Sequence, residues 1–290
     1  MRYATHSAFR MALEDRLRRE SLATGVPLVR LRKTVAFDRL LARMVRTGPD
    51  AWLLKGGFAL QLLIEGSART TKDIDMLLRE VGLDAHEMLV AAAFEDLEDG
   101  FGFAVASPSA LPAEAAVRMT VESRLDGRLF ESFHMDVGVG DPVVEAPDNR
   151  VVTDLLSFAG IAQTVMPCYP VTQHVAEKLH ALTRPRVTGE NSRVKDLVDV
   201  VLMASHSAPG ATRMRAAIDA TFAARHTHAV PSRLPDLPEI WASEFRRMAR
   251  ELGSGPRDLV AGVDLARRFL DPVLDGTAAG SWRPDEQVWC

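Results

Sequence analysis

Apolar residues in the first fifty positions recur with helical spacing. Phe9, Leu13 and Leu17 form one stripe, which predicts a helix over about 7–24. A second helix is predicted over about 31–45, where apolar residues follow the i, i+3, i+4, i+7, i+8 pattern of a buried face. The chain therefore begins with two amphipathic helices.

The next segment alternates short apolar runs with turn residues. Residues 51–55 are mostly apolar and predict a buried strand, which ends at the pair Gly56-Gly57. Leu60 and Ile64 lie four apart in a short helix over about 57–65, and residues 73–78 predict the next strand. This order is typical of a sheet covered by helices.

Residues 117–139 alternate apolar and polar side chains around Asp126-Gly127, which predicts a β-hairpin with a type I′ turn. Beyond residue 142 the pattern becomes mostly helical. The sequence thus predicts an α+β fold with two domains, a mixed-sheet domain over 1–160 and a helical domain over 161–290. The further helices are predicted at about 83–97, 153–163, 172–184, 193–205, 211–225, 237–251 and 257–270.

Composition narrows the class of protein. The chain has 290 residues, of which 47% are hydrophobic and 26% charged, as in globular proteins. Its two cysteines, Cys168 and Cys290, are too few and too far apart for a disulfide framework, so we expect a reducing cytoplasm. No secretory signal and no apolar run of spanning length is evident, and no membrane partner is expected.

The net charge of −4 is unevenly distributed. Residues 1–50 contain eleven Arg or Lys and five acids, so this segment carries about +6 and the remainder about −10. A basic segment on an acidic body could contact a polyanion such as RNA. The alternative is that these residues form solvated helix faces.

Two carboxylates in an apolar context suggest a metal site. Asp73 and Asp75 are spaced i, i+2, so in a strand both point to one face. Mg²⁺ or Mn²⁺ suits carboxylates that share a site with phosphate oxygens, and Asp136 on a neighbouring strand would supply a third ligand. The alternative is a pair of solvated acids at a strand end, although the apolar neighbours favour a site.

The glycine pair suggests a phosphate site. Gly56 and Gly57 at a strand-to-helix junction would allow close approach of a phosphate to main-chain amides. Lys55 and Arg69 could add positive charge. A glycine pair alone usually marks only a turn, but here Asp73-x-Asp75 follows it and a strand acid comes later.

These motifs together resemble the polymerase-β-like nucleotidyltransferases. The residues and spacing of the motifs resemble one group of this superfamily most, the abortive-infection nucleotidyltransferase toxins of the AbiEii type and the related MenT toxins. The resemblance spans about residues 50–205. It rests on Gly-Gly-x-Ala-Leu from Gly56, Arg-x-Thr-x-Asp-x-Asp from Arg69, Glu177-Lys178-Leu179-His180-Ala181-Leu182, and Arg193-x-Lys195-Asp196-Leu197-x-Asp199.

The resemblance implies an activity and a set of residues. The chain would transfer NMP from an NTP to RNA, at the tRNA 3′ end, as the toxin of a toxin–antitoxin pair with a separate antitoxin chain. Lys178 and Asp196 would serve the reaction from the helical half, and Thr71 would join the nucleotide-binding residues. Two alternatives stay open: a small-molecule nucleotidyltransferase of the aminoglycoside-modifying kind, and a catalytically silent nucleotide- or RNA-binding module.

Overall fold

A mixed eight-stranded sheet organises the first part of the chain. The computed structural model describes residues 2–64, 71–111, 116–185, 193–252 and 255–290. The chain divides into two units. Unit 1 comprises Met1–Leu62, Thr70–Gly140 and Asp148–Cys168, and unit 2 consists mainly of Tyr169–Cys290. The boundary predicted between residues 160 and 161 stays a prediction.

The strands of unit 1 are β1 Trp52–Lys55, β2 Ile74–Leu78, β3 Phe101–Val105, β4 Ser109–Leu111, β5 Ala116–Leu125, β6 Arg128–Val139, β7 Asp148–Val151 and β8 Val165–Cys168. They are ordered β3-β5-β6-β2-β1-β8-β7, with β4 beside β5. The pairs β2–β6 and β1–β8 are parallel, and the other pairs are antiparallel. The predicted α+β organisation with a mixed sheet is therefore confirmed.

The helices of unit 1 are α1 His6–Thr24, α2 Leu28–Thr47, α3 Gly56–Leu63 and α4 Ala85–Phe94. The side chain of Thr5 accepts a hydrogen bond from the Ala8 amide and so caps the start of α1, which ends at Gly25 in a left-handed conformation. The predicted stripe of Phe9, Leu13 and Leu17 is fully buried.

Helix α2 packs its apolar face on the sheet. The ring of Phe37 lies 5.0 Å from that of Phe58 on α3 and 4.8 Å from that of Phe133 on β6, both edge-on. Such aromatic pairs contribute about 0.5–1.5 kcal/mol beyond their buried area. Because β6 alternates, its apolar residues face this core and the intervening polar residues face the other side of the sheet.

Part of the basic charge of the N-terminal helices is buried. Arg39 and Arg43 on α2 are 3% and 0% exposed, and they contact the buried acids Asp38 and Asp99. Arg43 also donates to the main-chain oxygens of Glu95 and Phe101. These two arginines therefore stabilise the core of unit 1, and neither of the interpretations made from composition describes them.

The hairpin prediction is confirmed, and one helix prediction is wrong. Asp126 and Gly127 have φ of 55° and 70° between β5 and β6, as a type I′ turn requires. The helix predicted over 153–163 is absent from that described stretch, where β7 and β8 flank a 3₁₀ turn at Ser157–Ala159. Thr153 and Ser157 make local side-chain hydrogen bonds there that compete with helical ones.

Unit 2 contains α5 Val171–Thr183, α6 Val194–His206, α7 Ala211–Arg225, α8 Ala242–Ala249, α9 Leu259–Leu274 and a hairpin of β9 Trp282–Arg283 and β10 Val288–Trp289. The hairpin is anchored by Trp282, whose Nε1 donates to the Ala204 oxygen at 2.7 Å and whose ring packs on Phe269. Within the described residues, no helix combines the length and the apolar character needed to cross a membrane.

Two histidines of unit 2 belong to one hydrogen-bonded chain. Thr183 Oγ1 donates to the Leu179 oxygen, so it accepts from Nε2 of His228 at 2.8 Å. Nδ1 of neutral His228 then accepts from Thr227 Oγ1, which in turn accepts from Nε2 of His180. This assignment of the shared protons holds when both imidazoles are neutral.

Candidate active site

Four charged residues lie side by side across four adjacent strands. Lys55 on β1 is opposite Asp75 on β2, Asp75 is opposite Asp136 on β6, and Asp136 is opposite Arg118 on β5. Residues directly opposite one another point to the same face of a sheet. We call these four residues the charged row; it places the two acids between two cations, on the face opposite to α2.

Gly56 continues from Lys55 and touches the row. Its φ is +67°, and a Cβ built on it would overlap the carboxylate of Asp75. Gly57 follows, buried in the first turn of α3. The first glycine after β1 therefore lies beside the Asp75 carboxylate of β2 without a side chain between them. The predicted strand–Gly-Gly–helix junction is present.

Asp73 lies immediately before β2 and is 39% exposed. Its main-chain oxygen accepts from Thr71 Oγ1 at 3.2 Å, and Lys33 of α2 donates to the oxygen of Lys72 at 2.9 Å. Oδ1 of Asp73 lies 3.4 Å from Nδ1 of His134, two residues before Asp136 on β6. His134 was not predicted as a site residue, although the alternation of β6 places it on the same face as Asp136.

Arg118 holds both oxygens of Asp136. Its Nε donates to Oδ1 at 2.7 Å and its Nη2 to Oδ2 at 2.6 Å, the bidentate geometry of a guanidinium on a carboxylate. The pKa of Arg118 is raised, first by this hydrogen bonding and then by the negative charges of Asp136, Asp73 and Asp75, against burial, which lowers it. Sequence reasoning missed Arg118, since only the cross-strand register reveals its partner.

The carboxylates have the chemistry of a divalent-metal site without a complete ligand cluster. Asp73, Asp75 and Asp136 offer only hard oxygen donors, the type that Mg²⁺ and Mn²⁺ prefer. Among the residues that the structure describes, no three His, Cys, Asp or Glu side chains are grouped as metal ligands. Asp136 in particular is engaged with Arg118. The donor set fits the predicted ion, and Asp136 would share its oxygens between Arg118 and that ion.

Unit 2 holds a second set of predicted residues. Nζ of Lys178 on α5 lies 2.9 Å from Asp196 and 3.0 Å from Asp199, both on α6. Burial alone would lower the pKa of Lys178, but the charges of Asp199 and Asp196 outweigh it and raise the pKa. Arg193 lies 3.4 Å from Asp196, a contact that their i, i+3 spacing at the start of one helix allows. Asp199 had been given no role, yet it is the most buried member of this group.

Of the predicted site residues, the structure brings together Lys55, Gly56, Gly57, Asp75 and Asp136, with Thr71 and Asp73 beside them. Lys178 and Asp196 contact each other in unit 2. Arg69 lies outside the described residues.

Sequence comparison then decides the family. A family model described as "Nucleotidyl transferase AbiEii toxin, Type IV TA system" matches residues 39–274, well over half of the chain. The chain belongs to the AbiEii nucleotidyltransferase toxin family. The match extends beyond the motif-bearing stretch of about 50–205 at both ends, so the later helices of unit 2 are part of the family pattern.

A solved structure has a similar fold. MenT4, a nucleotidyltransferase toxin from Mycobacterium tuberculosis H37Rv, superposes with a TM-score of 0.54 at 14% identity, covering 91% of this chain and 98% of that chain. At this identity the likeness shows the fold alone. JHP933 from Helicobacter pylori has a TM-score of 0.43 at 16% identity, covering 82% of this chain and 94% of that chain. No curated protein sequence matched the chain.

The AbiEii assignment confirms the predicted enzyme class. The protein is a nucleotidyltransferase and the toxin of a type IV toxin–antitoxin system, and the family implies an antitoxin partner.

Proposed function

We propose that this AbiEii toxin transfers a nucleoside monophosphate from an NTP to a hydroxyl of RNA, at the 3′ end of tRNA, with Mg²⁺ or Mn²⁺ as cofactor. The observation that carries the proposal is the charged row, in which Asp75 and Asp136 are in direct register and Gly56 contacts Asp75. The RNA acceptor rests on the family resemblance.

In the proposed reaction the acceptor oxygen attacks the α-phosphorus of the NTP. The bond between that phosphorus and the bridging oxygen to the β-phosphate breaks, and pyrophosphate leaves with the electron pair. Asp136 accepts the proton of the hydroxyl, directly or through water. A divalent ion held by Asp73, Asp75 and Asp136 would neutralise charge that develops on the phosphate oxygens.

The remaining residues of the proposed site bind the triphosphate. Gly56 and Gly57 present main-chain amides at the start of α3, where a phosphate is favoured. Lys55 adds positive charge at the end of the row, and Thr71 fixes the main chain before Asp73. Arg69 belongs to the same phosphate-binding group on the strength of the sequence motif.

Lys178 and Asp196 are assigned to the same reaction from the resemblance. Lys178 retains its positive charge within a buried ion pair with Asp196. Its ammonium group is therefore suited to bind an anionic group of the substrate, either in place of Asp196 or together with it. The two free cysteines, Cys168 and Cys290, fit a cytoplasmic site of action, where NTPs and tRNA are present.

The test is label transfer. The purified protein is incubated with Mg²⁺, each α-labelled NTP in turn and total RNA, and labelled species are separated by size. We expect label in the tRNA band and no transfer by Asp73→Ala or Asp75→Asn. Glu122→Gln is the matched control, because Glu122 is a surface acid paired with Arg124 on β5.

The same assay decides among the alternatives. Full transfer by Asp73→Ala would refute the proposed site. Labelling of an aminoglycoside with none of RNA would favour the small-molecule enzyme. NTP binding without release of pyrophosphate, under every metal condition, would favour a silent binding module.

A further inference from the structure

We propose that Arg118 is a positioning residue of the nucleotidyl-transfer site, which acts by holding the Asp136 carboxylate in the orientation needed for the acceptor and the metal ion. The inference rests on the proposed function, because it assigns Arg118 to the residue that would activate the acceptor.

The contact between the two residues fixes the carboxylate plane. Arg118 and Asp136 are directly opposite on β5 and β6, and two hydrogen bonds of 2.7 and 2.6 Å join them. A planar guanidinium that donates through two nitrogens leaves the carboxylate no freedom to rotate about its terminal bond. Each oxygen keeps a further lone pair, so Asp136 can still accept a proton or a metal contact.

The arrangement of charge explains why a cation is needed there. Asp75 lies directly opposite Asp136 on the adjacent strand, and like charges in that relation destabilise a sheet. Asp73 adds a third negative charge on the same side, which is felt at Arg118. Arg118 offsets this repulsion from one end of the charged row, as Lys55 does from the other.

The exposure of the pair favours a functional contact over one that only pins the hairpin. Asp136 is 17% exposed and Arg118 is 39% exposed, so the pair borders solvent where a substrate can reach it. The strand pairing of β5 and β6 extends over ten residue pairs and does not depend on this contact. Hydrogen-bond partners that orient a metal-binding carboxylate typically contribute 10–100-fold to metal affinity or activity.

Arg118 could instead bind a substrate phosphate directly, and a double-mutant cycle separates the two roles. The variants are Arg118→Gln, Arg118→Lys, Asp136→Asn and Arg118→Gln with Asp136→Asn. Arg124→Gln is the matched control, because Arg124 is on the same strand and pairs with the surface acid Glu122. Steady-state label transfer gives kcat and the NTP KM, and electron paramagnetic resonance measures Mn²⁺ binding to the nucleotide-free protein.

For a positioning role, Arg118→Gln lowers kcat by about 10–100-fold and weakens Mn²⁺ binding, with the NTP KM within about twofold of wild type. Arg118→Lys recovers part of the lost activity, because lysine restores the positive charge but cannot donate the two parallel hydrogen bonds of a guanidinium. In the Asp136→Asn background the Arg118 substitution has no further effect on kcat. The Arg124 control retains wild-type kcat and Mn²⁺ binding.

Three results would overturn the inference. Losses that multiply in the double variant would show that Arg118 acts independently of Asp136. An increase in NTP KM at unchanged kcat would make Arg118 a phosphate-binding residue. Arg118→Gln could also retain wild-type kcat and Mn²⁺ binding while Asp73→Ala is inactive. That result would show that Arg118 has no positioning role, and the proposed function would still hold. If Arg118→Gln does not fold, Arg118→Lys in the same cycle supplies the comparison.

Discussion

Gly56, the first residue of α3, contacts the Asp75 carboxylate of β2, and a side chain on Gly56 would occupy the position of that carboxylate. The same glycine has a φ of +67°, which other residues adopt at a cost of about 1–2 kcal/mol. Two constraints, one from the main chain and one from the neighbouring acid, therefore require glycine at this position.

We predict that Gly56→Ala abolishes label transfer, because the added methyl displaces the Asp75 carboxylate. Gly127→Ala is the control for backbone strain: Gly127 has a φ of +70° and nothing within 4 Å of a built Cβ. Both variants lose about 1–2 kcal/mol in urea unfolding, and only Gly56→Ala loses activity. Equal activity in the two variants would show that Gly56 is needed for its conformation alone.

Buried Asp199 is predicted to stabilise unit 2. It is 1% exposed and accepts from Lys178 at 3.0 Å, so Asp199→Asn removes a charged hydrogen bond from a buried site. We expect a loss of about 1.5–3 kcal/mol in the free energy of unfolding, measured by urea titration. Asp219→Asn, which breaks an exposed i, i+4 pair with Arg215, should lose only about 0.3–0.5 kcal/mol. The prediction fails if the two variants are equally stable.

Arg43 is predicted to matter for folding, not for RNA. Its guanidinium is fully buried and donates two hydrogen bonds to Asp99, so Arg43→Met leaves this buried acid with the longer 3.4 Å ion pair to Arg39; breaking a buried pair in this way typically costs about 3–5 kcal/mol. Exposed Arg18 on α1 is the control, and Arg18→Met should leave the urea midpoint unchanged within error. A stable Arg43→Met protein with weakened tRNA binding would contradict the burial argument.

The stability of unit 2 should fall in acid because of its paired histidines. Burial lowers the pKa of His180 to about 4 from an ordinary 6.5, with further lowering by Arg225, His228 and Arg184. Burial and Arg184 also lower the pKa of His228. The unfolded chain therefore binds more protons than the folded one, so this stability is complete above about pH 6.5 and is lost as the pH falls towards 4.

Urea midpoints at pH 7.5 and pH 5 measure this effect. We expect a lower midpoint at pH 5 for the wild type and a smaller difference for His180→Gln combined with His228→Asn. His86→Gln, on α4 of unit 1, serves as the comparison and should keep the wild-type pH dependence. A pH dependence that survives the double substitution would place its origin outside these two residues.

The sequence alone predicted the parts of the site that lie close together along the chain. The junction at Gly56-Gly57, the acids Asp73 and Asp75, and Asp136 on a hairpin strand follow from local spacing and alternation. Arg118 did not, because a bulge between Ser123 and Arg124 shifts the register of the predicted hairpin and so places Arg118 opposite Asp136. His134 did not, because its contact with Asp73 depends on the pairing of β6 with β2. Strand order is a non-local property that alternation does not encode.

The missed strands have a similar explanation. Strands β3, β4, β7 and β8 contain three to five residues each, too few for alternation to stand out from the surrounding loops. Residues 153–163 carry apolar side chains at roughly helical spacing, yet Thr153 and Ser157 favour turns and the segment only connects β7 to β8. Tertiary pairing of the flanking strands overrode the helical pattern.

The parallel pairing of β2 with β6 also bears on when the toxin becomes active during its synthesis. Asp75 and Asp136 are neighbours in space, but the chain between them must close a long loop, and such non-local contacts form slowly. Because translation proceeds from the N-terminus, β2 cannot pair with β6 until β6 has left the ribosome. The pairing of β1 with β8 forms later still, because β8 follows β6 in the chain. A nascent chain that ends before β6 therefore lacks the charged row, and the early part of translation is separated in time from assembly of the site.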